Sequence, residues 1–202
     1  MHQILSRKVY QLLRSVSYTH LRAHETRHGF SQALPDASFD LLPVGDGGEG
    51  TMAALTSALG WTEFYHTVTG PFGKPVNMPY ARNGQQALFE MADLVGLASI
   101  PHEKRNPLAT ETKGLGELIL QLAKDGVRKI LVGVGGSASN DGGIGLAAGL
   151  GYEFFDVDNH RLRPIGSSLG KVARISAEQV PAFLKEVEIE ILTDVDNPLC
   201  GE

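Results

Sequence analysis

The stretch Gly133-Val134-Gly135-Gly136-Ser137-Ala138-Ser139-Asn140-Asp141-Gly142-Gly143 holds the residue types best suited to gripping an anion. Glycines lack a Cβ and let backbone N–H groups converge, while hydroxyl and amide side chains add donors without a long cationic arm. The apolar run Ile130-Leu131-Val132 ahead of it reads as a strand and the small-residue run behind it as a helix. The loop should therefore present its donors at the positive end of that helix, with a phosphate group as the expected ligand. Gly135, Gly136, Ser137, Asn140 and Gly142 are the expected phosphate- or nucleotide-binding residues. A sharp turn whose glycines only permit close packing is the structural alternative.

Three further constellations could do chemistry. Asp194-Val195-Asp196 places two carboxylates on one side of an extended segment, where they could share Mg²⁺ or divide metal and general-base roles; a solvated turn fits equally well. Gly45-Asp46-Gly47-Gly48-Glu49-Gly50 joins a strand to a helix with unusual glycine density, so the backbone should approach a ligand with Asp46 or Glu49 facing it. Arg105, just before the turn Asn106-Pro107, offers a planar cation for a substrate carboxylate or phosphate.

Competing motifs are weaker. Gly133-x-Gly135-x-x-Ala138, with Asp156 near the ~20-residue spacing of a ribose-binding acid, fits a dinucleotide fingerprint and so an NAD-binding oxidoreductase. Ser139 to Gly143, however, interposes a second turn where the fingerprint needs a helix. His24-Glu25-Thr26-Arg27-His28 has the H-E-x-x-H spacing of a zinc hydrolase, but its flanks are polar and unpatterned. Gly166 to Lys171 has one residue too few between its glycines for a phosphate-binding P-loop, and Val172 lacks the hydroxyl needed on Mg²⁺.

Composition narrows the class. The chain has 202 residues, 42% of them hydrophobic, a net charge of −5 and one cysteine. It can build a core but no internal disulfide, and no basic stripe with interleaved aromatics points to nucleic acid. No apolar run approaches the ~20 residues of a membrane span, so a cytoplasmic protein acting on small metabolites is expected. Residues 1–28 stand apart, with five Lys and Arg against one acid and four of the seven His. That break in charge and patterning suggests a segment foreign to the fold, which is expected to occupy 29–202.

The elements that must carry these residues follow an α/β pattern. Strands are expected at Ser38–Pro43, Thr62–Val68, Val76–Ala81, Ala87–Met91, Lys129–Val134, Tyr152–Phe155 and Val187–Thr193. Helices are expected at Glu49–Leu59, Thr112–Lys124, Ile144–Leu150 and near Ala177–Lys185. These predict a mainly parallel sheet with helices on both faces, with a β-rich part at 62–91 and an α/β part at 104–202.

Together, LPVGDGGEGT (42–51), VTGPFGKPV (68–76), FEMADLVGL (89–97), KRNPLATETKGLGELI (104–119), GVGGSASNDGGIGLAAGLG (133–151) and TDVDNPLCG (193–201) resemble the bacterial-type glycerate kinases, the class I glycerate 2-kinases. The resemblance implies a two-domain α/β enzyme that uses ATP and Mg²⁺ to phosphorylate D-glycerate in an interdomain cleft. It implies Asp194 and Asp46 as catalytic residues, Asp194 and Asp196 as the metal pair, and Arg105 and Glu49 on the substrate. Glu111 and Ser139 stand where the family commonly has Thr. The family's opening Asp-Ser-Phe-Lys-Gly-Ser type loop and its later C-terminal segments have no counterpart, so a fragment without activity of its own is expected.

Overall fold

The computed structural model describes residues 31–36 and 47–193. The chain divides into two compact units, Met1–Pro43 and Val44–Glu202. The expected strand Ser38–Pro43 lies outside the described residues, and within the first unit only a helical turn over 31–33 and the residues after it are described.

The second unit opens with helix α1 (Thr51–Leu59), then strands β1 (Thr62–Thr69), β2 (Pro75–Asn83) and β3 (Gln86–Glu90) and the short helix α2 (Ala92–Val95). Helix α3 (Lys113–Lys124), strand β4 (Lys129–Gly133), helix α4 (Ile144–Gly149), and strands β5 (Glu153–Phe155), β6 (Arg174–Ser176) and β7 (Glu188–Leu192) follow. Among the described residues, five strands form one sheet in the order β1-β2-β3-β4-β7, antiparallel across β1-β2 and β2-β3 and parallel across β3-β4 and β4-β7. The strands of 62–91 thus do not form a sheet of their own. They continue the parallel strands through β3, because Ala87, Leu88 and Phe89 are buried on both faces and need cover on each.

Alternation along β3 and β4 sends side chains to two cores. Ala87, Phe89, Ile130 and Val132 pack with Met78 against Leu115, Leu118, Ile119 and Leu122 of α3. Those four recur at helical spacing and are almost completely buried, so each contributes roughly 1.5–3 kcal/mol of transfer free energy. Leu88 and Ala81 face the other way and meet Met52 of α1. Helices therefore cover both faces, as the α/β pattern requires.

The stretch after β6 differs from the sequence expectation. Residues near Ala177–Lys185 form no α-helix: β6 precedes them and a 3₁₀ turn occupies Ala182–Glu186. Pro181 is the reason, since it biases Val180 away from helical backbone and delays any helical turn until after itself. Residues Gly166–Lys171 form another 3₁₀ turn.

Helices α3 and α4 touch backbone to backbone. A Cβ on Gly116 would lie 2.0 Å from the Leu146 carbonyl oxygen, and one on Gly149 would lie 2.2 Å from that of Lys113. Alanine ordinarily improves a helix by ~1 kcal/mol over glycine. Here the clash should win, and Gly116→Ala should lower stability by about 1–3 kcal/mol in urea denaturation. Gly170→Ala, with open space around its Cβ, should stay within ~0.5 kcal/mol.

Candidate functional site

Because β3, β4 and β7 are parallel, their carboxyl ends lie together, and that is where ligands bind open α/β sheets. The chain segments leaving them are laced by backbone hydrogen bonds. Met91 N–H donates to the Gly133 carbonyl at 2.7 Å, Val134 N–H to Leu192 at 3.3 Å and Gly135 N–H to Gly47 at 3.0 Å. A Cβ on Gly135 would lie 2.7 Å from Gly48 Cα, and one on Gly47 only 2.5 Å from the Leu192 carbonyl oxygen. These glycines allow two chain segments to touch, which is the packing role.

Gly136 is different. Its φ is +73°, it is exposed, and a Cβ there would meet only Ala92 Cβ at 3.7 Å. Most loop N–H groups have partners: Ala138 donates to Val95, Asn140 to Pro107, Ser139 to the Ser137 hydroxyl and Gly143 to Asp141. The N–H groups of Gly136 and Gly142 have no acceptor among the described residues. Both residues are exposed, as is Asn140, and the Ser137 hydroxyl lies between them in sequence. The expected phosphate-binding residues thus share one continuous loop, in which Gly135 packs and the others remain accessible.

Two buried carboxylates, absent from the sequence-based site, hold this region. Asp141 Oδ2 accepts from Thr112 N–H at 3.0 Å and the Thr112 hydroxyl at 2.6 Å, and Oδ1 accepts from Gly143 N–H at 2.9 Å. The same hydroxyl accepts from Leu146 N–H at 2.9 Å. Asp141 therefore joins the starts of α3 and α4, and the anion at the positive end of α4 is the protein's own carboxylate. Glu90, 2% exposed, accepts from Gly50 N–H at 3.0 Å and more closely from Met52 N–H, at the start of α1. Its inward position follows from the alternation of β3, which pairs it with Leu88 on one face.

The remaining candidates are placed as follows. Arg105 donates from Nε to the Ile100 carbonyl at 3.0 Å and from Nη2 to Leu97 at 2.6 Å, and Leu97 N–H reaches the Gly136 carbonyl at 3.1 Å. One turn thus ties Arg105 to the glycine loop. Glu49 is exposed beside Gly48, the residue against which Gly135 packs. Asp46, Asp194 and Asp196 lie outside the described residues, as do His24, Glu25 and His28.

The dinucleotide reading loses its geometry. β5 pairs with β6 in a separate two-stranded sheet, so Asp156 does not end a strand beside β4. Its Oδ1 instead accepts from the His160 and Asp158 N–H groups, which hold the carboxyl below the usual range. A cleft of about 510 Å³ between Thr69, Glu111, Lys113 and Arg161–Pro164 is lined by none of the loop residues. Its cations pair with carboxylates: Lys113 with Glu117 at 3.2 Å, Arg161 with Glu153 at 3.1 Å and Arg163 with Glu111 at 3.8 Å.

Asp93 is the perturbed acid near the site. Part of the residue reaches solvent, yet surrounding protein desolvates the carboxyl, and that effect, followed by the charges of Glu90, Glu49 and Glu63, pushes it up to about 7.

Comparison with known proteins adds an independent line. The model of the Glycerate kinase family matches residues 18–202, overlapping the end of the basic segment. A glycerate kinase of Neisseria meningitidis serogroup B is 51% identical over 179 residues, 89% of this chain and 48% of the relative. The glycerate 2-kinase of Escherichia coli K12 is 40% identical, again over 89% of this chain and 48% of its own length. A crystal structure assigned as glycerate kinase 2 of Salmonella typhimurium LT2 superposes with a TM-score of 0.72 at 39% identity, covering 86% of this chain and 47% of that one. The chain spans about half the length of the curated relatives it matches.

Two outcomes follow from the carboxylates. Asp141→Ala strands the N–H and hydroxyl of buried Thr112, each worth ~1–3 kcal/mol if left unpaired, so denaturant titration should show a loss of about 3 kcal/mol. Asp93 keeps its proton to about 7 in the fold but only to about 3.8 when unfolded. The folded state therefore holds the extra proton between those values, and stability falls as pH rises through that window. Asp93→Asn should raise the melting temperature at pH 8 and leave it unchanged at pH 3; an unchanged slope between would refute the assignment.

Proposed function

The chain belongs to the glycerate kinase family, and we propose that the whole protein transfers the γ-phosphoryl group of ATP to a hydroxyl of D-glycerate. The observation that carries this reading is the loop after β4, in which Gly136, Asn140 and Gly142 are exposed and the N–H groups of Gly136 and Gly142 are open, at the carboxyl ends of three parallel strands. These donors fit phosphate oxygens: neutral groups, fixed in position before the ligand arrives. Phosphoryl transfer asks the protein mainly for such positioning and for charge neutralisation.

In this reading Gly136, Ser137, Asn140 and Gly142 hold the nucleotide's phosphates. Arg105 keeps guanidinium N–H groups beyond the two engaged with Leu97 and Ile100, and these grip the glycerate carboxylate. Asp46 and Glu49 are assigned to the acceptor, and Asp194 or Asp46 takes the hydroxyl proton as the oxygen attacks the γ-phosphorus. The bond to the β–γ bridging oxygen breaks and ADP leaves. Asp194 and Asp196 form an oxygen donor set suited to a hard cation, so they would hold Mg²⁺, which neutralises phosphate charge when bound.

A cytoplasmic location agrees with an ATP-dependent reaction and a single cysteine. Among the described residues no helix is long and apolar enough to cross a membrane. Small molecules, rather than nucleic acid, are the partners.

The test is a coupled assay on the full-length protein, in which ADP release should require both ATP and D-glycerate. Arg105→Ala should raise KM for glycerate at least about tenfold while KM for ATP changes less than about twofold. Absence of glycerate-dependent turnover in the unmodified full-length protein would overturn the proposal.

A further inference from the structure

We propose that Glu90 is a positioning residue that fixes the Gly47–Gly50 segment against the glycine loop and so sets the acceptor side of the site; its functional half rests on the kinase reading. The sequence gives α1 no cap of its own. Its N-cap is Gly50, with φ +92° and no side-chain hydrogen bond. Helices ordinarily solve this with a Ser, Thr, Asp or Asn at that position. Here the acceptor comes from the end of β3, 40 residues along the chain from Gly50.

The consequence is a closed circuit around the strand ends. Glu90 receives the N–H groups of Gly50 and Met52. Gly47, at the start of the same segment, receives Gly135 N–H at 3.0 Å. Gly133, two residues earlier, receives the N–H of Met91, the residue next to Glu90, at 2.7 Å. The Glu90 carboxylate is the side-chain link in this ring; the others named are backbone to backbone. The segment it anchors carries Glu49 and directly follows Asp46, the residues assigned to the acceptor. A cap serving α1 alone could sit on α1 itself, whereas one supplied by β3 couples α1's entry to the loop after β4.

Hydrogen exchange and kinetics test the two halves separately. In the unmodified chain, the amides of Gly50, Met52, Met91 and Gly135 should exchange together as one slow unit. Rates typical of open loops at Gly50 and Met52 would overturn the anchoring role without any variant. In the full-length protein, Glu90→Gln retains one acceptor, so one of those two amides should keep its protection. KM for D-glycerate should rise about tenfold with KM for ATP nearly unchanged, and the melting temperature should fall, because one backbone N–H then faces the amide NH2. Glu90→Leu should lose both protections and raise the glycerate KM further. If the two KM values rise in parallel, or neither moves in a folded variant, Glu90 serves stability alone and the positioning role fails. If the unmodified enzyme shows no turnover with glycerate, the kinase reading falls while the exchange data still decide the anchoring.

Discussion

No side chain fits where Gly47, Gly133 and Gly135 meet. The Gly47 carbonyl oxygen would lie 2.8 Å from a Cβ on Gly133, and Gly48 would meet one on Gly135 at 2.7 Å. This bare backbone contact lets the entry to α1 lie directly on the exit from β4, beside Leu192 at the end of β7. The first exposed residue of the loop comes one position later, at Gly136. A Cβ at the contact would lift α1's entry away, and with it the Glu90 cap and the inner layer of Leu88 and Met52.

Electrostatics divides along the same boundary. The buried carboxylates Glu90 and Asp141 each answer the unpaired N–H groups of a helix start, where both dipole and hydrogen bonds favour a negative charge. Each acts over distance in sequence, Asp141 reaching Thr112 across 29 residues. The solvent-exposed pairs, such as Lys129 with Glu188 and Glu190 on β7, are of a kind worth only ~0–1 kcal/mol. The fold around the site thus leans on a few buried acceptors rather than on the more numerous surface ion pairs.

Periodicity in the sequence was enough to place α3, since Leu115, Leu118, Ile119 and Leu122 mark one face, and enough to place β3 and β4 as buried strands. It misled near Ala177–Lys185, where composition suits a helix but Pro181 decides the backbone. It also separated 62–91 from the parallel strands, because nothing local says that β3 pairs with β4. At the site, glycine density located the loop but not its division of labour. A glycine required for close approach, such as Gly135, and one set by positive φ, such as Gly136, look identical as letters. Glu90 and Asp141 were in plain view as residues, but their partners lie tens of positions away and surface only when the sheet brings them together.

Asp141 also changes how the loop can treat an anion. In a dinucleotide-binding crossover the pyrophosphate rests on the helix start and draws on its dipole. Here that place at α4 is filled by an internal carboxylate, and a second carboxylate fills the start of α1. On the proposed reading, a phosphate brought to this loop would meet the donors of Gly136 and Gly142 rather than an open helix end, with Asp141 fixed nearby. The repulsion between that carboxylate and a polyphosphate has to be offset by positive charge arriving from elsewhere. Among the residues already assigned, Arg105 is tied to the loop through Leu97, and a cation on Asp194 and Asp196 would bring more. A nucleotide delivered with its own divalent cation suits such a loop better than free phosphate does, which is the physical reason to read it as part of a kinase rather than as a dinucleotide cradle.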